Sequence, residues 1–123
     1  MAKTQNDKFK RDLFRGSLDV VVLAILAEGR QYGYAIHKQL KQASGQTIQA
    51  GSLYPLLHRL ESDGLIKATW DRASARERKW YELTATGKRA LRSSAADWQA
   101  YIARLQALIL PAVRRVAAQN PGI

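Results

Sequence analysis

The sequence predicts an α+β fold that is mainly helical. Three segments between residues 17 and 64 carry apolar side chains three and four residues apart, which is the spacing of one helix face. Two short segments rich in β-branched and aromatic residues follow, and a longer helical pattern fills the rest of the 123 residues. A chain of this length has room for one domain and an appendage.

The first three predicted helices follow one another closely. The first begins at Ser17, a residue type that caps helix N-termini, and ends before Gly29. The second covers residues 32–44 and the third covers residues 51–63, and each is followed by a glycine that can stop it. On a helical wheel, the leucines of the third helix gather on one side, and small and polar residues occupy the other.

Two strands are predicted at residues 65–70 and 79–84, with a charged connection between them. The connection and its edge carry four basic residues against two acidic ones, so the ribbon has a basic tip. A helix-turn-helix followed by such a ribbon is a winged helix-turn-helix, in which the two-stranded ribbon is the wing.

A long C-terminal helix begins after Thr84. Its apolar residues recur alternately four and three residues apart, and this heptad seam predicts a dimerisation helix. Pro111 should end or kink the helix, because proline cannot donate a backbone hydrogen bond. The predicted dimer interface consists of Leu91, Ala95, Trp98, Ile102, Leu105 and Ile109.

The charge of the chain indicates a polyanionic partner. Twenty Lys and Arg residues stand against ten Asp and Glu residues, for a formal net charge of +10. Such an excess favours nucleic acid, because binding to phosphates releases counterions, whereas simple solubility is the alternative explanation. We therefore expect a basic N-terminal arm or extension of helix one at residues 1–16, a winged-helix DNA-binding domain at 17–84 and a C-terminal dimerisation helix at 85–118.

Several other classes of protein are disfavoured. The absence of cysteine excludes disulfides, thiolate zinc sites and thiol catalysis, and two isolated histidines make no metal site. We expect no cofactor and no enzyme, because no phosphate-binding glycine loop and no paired His–carboxylate motif is present. The sequence contains no secretory signal and no membrane-spanning apolar run, which predicts a cytoplasmic protein without a membrane partner.

The outward side of the third helix is the first candidate DNA-binding surface. Arg59 could bond guanine O6 and N7 or a phosphate, and His58 could donate to either. Ser52 lies where a helix N-terminus can meet a phosphate. A polar face that only contacts solvent is the alternative explanation.

The wing tip is the second candidate surface, since basic residues there suit backbone or minor-groove contact. A charged turn that prevents edge pairing is the alternative. Two tyrosine hydroxyls could also reach phosphates, although packing would explain them equally well. The predicted DNA-binding residues are Tyr34, Ser52, Tyr54, Pro55, His58, Arg59, Arg76, Arg78 and Lys79.

The chain resembles the PadR family of bacterial transcriptional regulators in three stretches, RGSLDVVVLAILAEGRQYGYAIHKQL, GSLYPLLHRLESDGLIKATW and RKWYELTATGKRAL. The resemblance implies a winged-helix DNA-binding domain, a C-terminal helix exchanged across a homodimer, and repression that a small molecule relieves. Trp98 looks like the tryptophan with which some members bind aromatic drugs, so it is also a candidate effector-pocket residue. The wing departs from the family pattern, because its turn contains no glycine. The resemblance carries family DNA contacts to Ser52, Tyr54, Pro55, His58, Arg59 and the basic wing residues.

The leading hypothesis is a sequence-specific transcriptional regulator, a repressor responsive to a small aromatic effector. It would bind double-stranded DNA at a pseudo-palindromic operator as a homodimer, with half-sites about 34–36 Å apart. One alternative is a non-sequence-specific architectural nucleic-acid-binding protein. Another is a membrane-surface or protein-docking module built on the last helix.

Overall fold

The computed structural model describes residues 17–45, 48–73 and 77–119. Within them, helix α1 covers residues 17–27. The mainly helical α+β class predicted from the sequence is confirmed. The elements that follow α1 are β1 (Gln31–Tyr32), α2 (Gly33–Ser44), α3 (Ala50–Ser62), β2 (Ile66–Asp71), β3 (Arg78–Leu83) and α4 (Ala85–Gln119).

One leucine-rich core holds α1, α2, α3 and the sheet together. Helix α2 buries Ile36 and Leu40 completely, and α3 buries the leucines that the helical wheel places on one side. Each fully buried side chain of this kind contributes about 1.5–3 kcal/mol relative to an exposed one. Burial of the leucine face therefore turns the opposite face of α3 toward solvent. The core side chains are Leu18, Val22, Leu23, Leu26, Ile36, Leu40, Leu53, Leu56, Leu57, Leu60, Ile66, Tyr81 and Leu83.

The wing is part of a three-stranded antiparallel sheet with the order β1-β3-β2. Strands β2 and β3 pair from Ile66 opposite Leu83 to Asp71 opposite Arg78, as expected for a ribbon. The two residues of β1 add a third strand along the outer edge of β3. The sequence predicts the second helix from Tyr32, but Tyr32 belongs to β1 and α2 begins at Gly33, because pairing with β3 takes up its backbone.

The start of α4 is held against the two residues that precede β2. The Thr84 hydroxyl accepts a hydrogen bond from the Gly87 N–H at 2.9 Å and donates to the Gly64 carbonyl at 2.6 Å. The Thr84 N–H donates to the Leu65 carbonyl at 3.1 Å. Gly87 lies so close to this carbonyl that a Cβ atom on it would stand 1.9 Å from the oxygen. Thr84 therefore caps α4, and the absent side chain of Gly87 permits the close approach.

The chain divides after Leu91 into two compact units, the second of which contains the remainder of α4. The sequence predicts that Pro111 either ends or kinks the helix. Helix α4 does not end there but continues to Gln119. Proline removes one N–H donor from the helix, and the remaining turns keep their backbone hydrogen bonds. Among the described residues, no helix combines the length and the apolar character needed to cross a bilayer.

Candidate nucleic-acid interface

Helix α3 presents a small and polar surface to solvent. Ser52, Pro55 and His58 are all exposed, and Gly51 lies beside them with open space around its Cα. The approach to α3 is fixed by His37 of α2, whose Nε2–H donates to the Ile48 carbonyl. Because Gly51 and Ser52 are small, the outward face of α3 has little side-chain bulk near the helix N-terminus, where a recognition helix meets the bases.

Tyr54 lies on one flank of α3 and packs against the start of α2. A Cβ atom added to Gly33 would stand 2.8 Å from the Tyr54 Oη and 2.9 Å from a ring carbon. The ring can lie there only because Gly33 has no side chain. The neighbouring Tyr34 is 74% exposed, so its hydroxyl is free to reach outward.

A cleft of about 420 Å³ lies where α3, the start of α2 and the wing meet. It brings together four residues that the sequence predicts as separate DNA contacts, two tyrosines and two cations. The tyrosines come from the two helices and the cations come from β3. The lining residues are Tyr32, Gly33, Tyr34, Tyr54, Trp70, Glu77, Arg78, Lys79 and Tyr81.

Stacked aromatic rings orient the cations of the wing. The Tyr32 and Trp80 rings stack with centroids 3.7 Å apart, which leaves only their outer faces open. The Arg30 guanidinium lies 4.2 Å from the Trp80 centroid, and the Arg78 guanidinium lies 4.0 Å from the Tyr32 centroid. The order of the stack is therefore Arg30, Trp80, Tyr32, Arg78, and cation–π attraction holds both ends.

Lys79 is held by a second aromatic contact, on the other face of the sheet. Its Nζ lies 5.1 Å from the centroid of Trp70, the residue opposite it on β2. Sequence reasoning did not assign a role to Trp70 or to the stacked Trp80. Their place beside Arg78 and Lys79 in two strands predicted to pair was the available signal.

Asp71 fixes the base of the wing tip. Its carboxylate accepts a hydrogen bond of 2.6 Å from the Tyr32 hydroxyl and one of 3.0 Å from the Ala73 N–H. The bond to Asp71 raises the pKa of the Tyr32 hydroxyl, and the same bond lowers the pKa of the Asp71 carboxyl. Burial separately raises the pKa of the Tyr81 hydroxyl behind the cleft.

Arg59 lies on the other flank of α3 and pairs with Asp19 of α1. Its Nη2 stands 2.7 Å from both carboxylate oxygens, and the two side chains are 57% and 55% exposed. An exposed pair of this kind contributes at most about 1 kcal/mol to folding. Sequence reasoning missed Asp19, because nothing local links two residues 40 positions apart. The remaining predicted contact, Arg76, lies outside the described residues.

The second unit carries an apolar stripe on α4. Of the predicted seam, Leu91, Ile102 and Leu105 are half-buried, whereas Ala95, Trp98 and Ile109 are exposed. Beyond the predicted seam, the stripe continues as a shallow apolar groove of about 460 Å³. The groove is lined by Leu108, Ile109, Ala112, Val113, Val116 and Ala117.

Comparison with known proteins gives one consistent result. Residues 22–93 match the transcriptional regulator PadR-like family. A transcriptional regulator of Mycobacterium tuberculosis is 32% identical over 81 residues, which cover 66% of this chain and 75% of the relative. These relatives are regulators of transcription rather than enzymes, as the sequence predicts.

Solved structures of the family share the fold. A PadR family transcriptional regulator from Eggerthella lenta is similar to 83% of this chain, with 39% identity, a TM-score of 0.76 and 89% of its own length covered. The PadR protein of Bacillus subtilis in complex with operator DNA is 28% identical, with a TM-score of 0.58. The match covers 63% of this chain and 46% of the length of the Bacillus subtilis protein. The chain belongs to the PadR-like family of transcriptional regulators.

Proposed function

We propose that this regulator binds a specific DNA operator through α3 and the wing. The observation that carries the proposal is the cleft in which Tyr34, Tyr54, Arg78 and Lys79 come together. They come from three separate segments of the sequence, and each supplies a donor or a positive charge suited to a phosphate. The similarity to a PadR protein described in complex with operator DNA supports the same function.

In this proposal, α3 contacts the bases, and the tyrosines and the wing contact the DNA backbone. The outward face of α3, with Ser52, Pro55 and His58, is small enough for the backbone to approach base edges in a major groove. The hydroxyls of Tyr34 and Tyr54 would donate to phosphates at the wall of that groove. The wing would follow the same strand with its basic side chains, Arg76, Arg78 and Lys79.

A second copy of this chain is the proposed partner along α4. The partly exposed seam from Leu91 to Ile109 has the heptad spacing of a helix that packs against another helix. The stripe continues past Pro111 to Val116, so more turns are available for packing than the sequence predicts. Two joined copies would place their recognition helices on half-sites about one DNA turn apart, which requires a pseudo-palindromic operator.

Repression and relief by a small aromatic molecule complete the proposal. Trp98 is 46% exposed on the seam, and two such rings in a dimer would form apolar walls suited to a flat effector. An effector changes DNA binding only if it binds one dimer geometry better than another. A chromosomal operator also implies a cytoplasmic location for the protein.

Binding of purified protein to its own upstream DNA and to a scrambled duplex tests the DNA-binding proposal. Fluorescence anisotropy at fixed salt should show a preference of about a thousandfold or more for the upstream duplex. Tyr54→Phe and Lys79→Ala should both weaken binding. Lys67→Ala is the matched control for Lys79→Ala. Lys67 lies on the sheet face opposite to Lys79 and far from the wing tip. Equal binding to both duplexes would favour the architectural alternative.

Sedimentation equilibrium tests self-association through the seam. Ile102→Asp places a charge on the seam and should convert dimer to monomer. Ala100→Asp adds the same charge about 160° away on the helix, where it should leave the dimer intact. If the wild-type chain is monomeric at micromolar concentration, the dimer proposal is wrong.

A reporter gene fused to the upstream DNA tests repression, because a repressor lowers its expression when the chain is present. The effector proposal needs a separate measurement. Acridine, a flat aromatic probe, should bind the wild-type chain and lose affinity in Trp98→Ala. Equal affinity in both proteins would remove Trp98 from the pocket.

A further inference from the structure

The ion pair between α1 and α3 uses only one edge of the Arg59 guanidinium. Nη2 alone donates to both Oδ1 and Oδ2 of Asp19, each at 2.7 Å. Within the described residues, Nη1 and Nε of Arg59 have no further partner, so three N–H donors stay available. The pair is more than half exposed, and these donors can reach a ligand without breaking it.

The position of Arg59 brings these donors close to a groove occupied by α3. Arg59 lies five residues after Tyr54, which at about 100° per residue places the two side chains about 140° apart around the helix. Tyr54 marks the flank toward the wing, and Arg59 marks the flank toward α1. A DNA duplex that receives α3 therefore meets Arg59 on the side opposite the aromatic cleft.

The charge of Asp19 changes what Arg59 can bind. A free guanidinium is drawn to phosphates of any sequence, but a guanidinium held by a carboxylate belongs to a neutral pair, and its attraction to phosphate is largely cancelled. Its hydrogen-bond donors keep their directions, because the carboxylate fixes a side chain that otherwise has many rotamers. A neutral acceptor pair, such as O6 and N7 of guanine, suits such a group.

We infer that Asp19 is a specificity-determining residue of the DNA interface, which acts by holding Arg59 for a base edge and away from phosphates. The inference rests on the proposed DNA-binding function. It assigns Asp19 a positioning role, since its carboxylate acts on DNA only through Arg59. It also explains why an acidic side chain stands beside the DNA-binding helix of a chain whose net charge is +10.

Asp19→Asn tests the inference, and Glu28→Gln is the matched control because it removes the same charge from an exposed position just after α1. Binding to the upstream and the scrambled duplex is measured between 50 and 200 mM salt. In Asp19→Asn, the released Arg59 should gain a phosphate contact, so the slope of log K against log salt steepens by about 0.9 for scrambled DNA. The preference for the upstream duplex should fall by about fivefold or more, the low end for one bidentate base contact.

A double variant separates base contact from charge. Asp19→Asn with Arg59→Gln leaves the net charge unchanged, so scrambled DNA should bind as it does to wild type, whereas upstream DNA should bind at least about fivefold more weakly. Thermal unfolding of each variant checks that the fold is retained, and the exposed pair should move the midpoint little.

The outcomes distinguish this inference from the proposed function. If Asp19→Asn binds both duplexes as Glu28→Gln does, or if it strengthens binding to both duplexes equally, Asp19 does not determine specificity. The inference is then wrong, while the proposed function stands. If the wild-type chain itself shows no preference between the duplexes, the proposed function fails and the inference fails with it.

Discussion

Gly87→Ala should destabilise the first compact unit more than any other single methyl addition at a described glycine. The added Cβ would lie 1.9 Å from the Leu65 carbonyl oxygen and 2.8 Å from the Leu83 Cδ1. Ordinary contact begins at 3.4 Å, so the first turn of α4 must move away from the Leu65 carbonyl by about 1.5 Å. Such a movement also separates the Thr84 N–H from the Leu65 carbonyl, which it now meets at 3.1 Å.

The expected cost is about 3 kcal/mol. Overpacking against backbone costs about 3 kcal/mol, at the upper end of the usual range, and loss of the hydrogen bond between the Thr84 N–H and the Leu65 carbonyl adds about 1 kcal/mol. The better helix propensity of alanine offsets about 1 kcal/mol of this. For a unit of this size, the net change corresponds to a fall of roughly 12–24 °C in the midpoint of unfolding.

Chemical and thermal denaturation followed by circular dichroism measure this change. Gly51→Ala is the matched control, because Gly51 is an exposed position of α3 and a Cβ there meets no atom within 4 Å. It should stabilise the protein by about 0.5–1 kcal/mol. If the unfolding free energy of Gly87→Ala lies within about 0.5 kcal/mol of the wild-type value, Gly87 does not lie as close to the Leu65 carbonyl as the prediction requires.

Three further predictions concern the interface and its support. Gly33→Ala should push the Tyr54 ring outward, and because the ring end can move, we expect little loss of stability but about tenfold weaker DNA binding, measured by anisotropy. Tyr32→Phe should remove the bond that lowers the Asp71 pKa and raises the Tyr32 pKa. The depressed Asp71 pKa stabilises the fold above the usual carboxylate pKa, and the raised Tyr32 pKa stabilises it below the usual tyrosine pKa. The stability difference between wild type and variant should therefore be constant from about pH 4 to pH 10 and shrink outside that window, in denaturation curves at several pH values. Thr84→Ala should lower the unfolding free energy by about 1 kcal/mol, through loss of the cap on α4, and a Thr84→Ser variant should keep most of it.

Local patterns in the sequence were sufficient to predict most of the elements. The spacing of Leu53, Leu56, Leu57 and Leu60 predicts the buried face of α3, and all four are buried. The ribbon of β2 and β3 and the long α4 follow from equally local periodicities. These features depend on residues two to four positions apart, whose geometry is set by the backbone of a single element.

Contacts between distant residues were decided only by the tertiary structure. The edge strand β1 exists because Gln31 and Tyr32 pair with Tyr81 and Trp80, some 50 positions later. Helix α4 continues beyond Pro111, where the sequence alone left two outcomes open.

The candidate site shows the same division. The sequence by itself supplied the candidate residues for DNA binding, including the tyrosines, the wing cations and Arg59, and it indicated the family, which the comparisons confirm. Only the fold gathered the tyrosines and Lys79 into one cleft and set Arg59 against Asp19. The physical reason is that residue chemistry belongs to each position, whereas the partner of a side chain depends on which surfaces the buried core brings together.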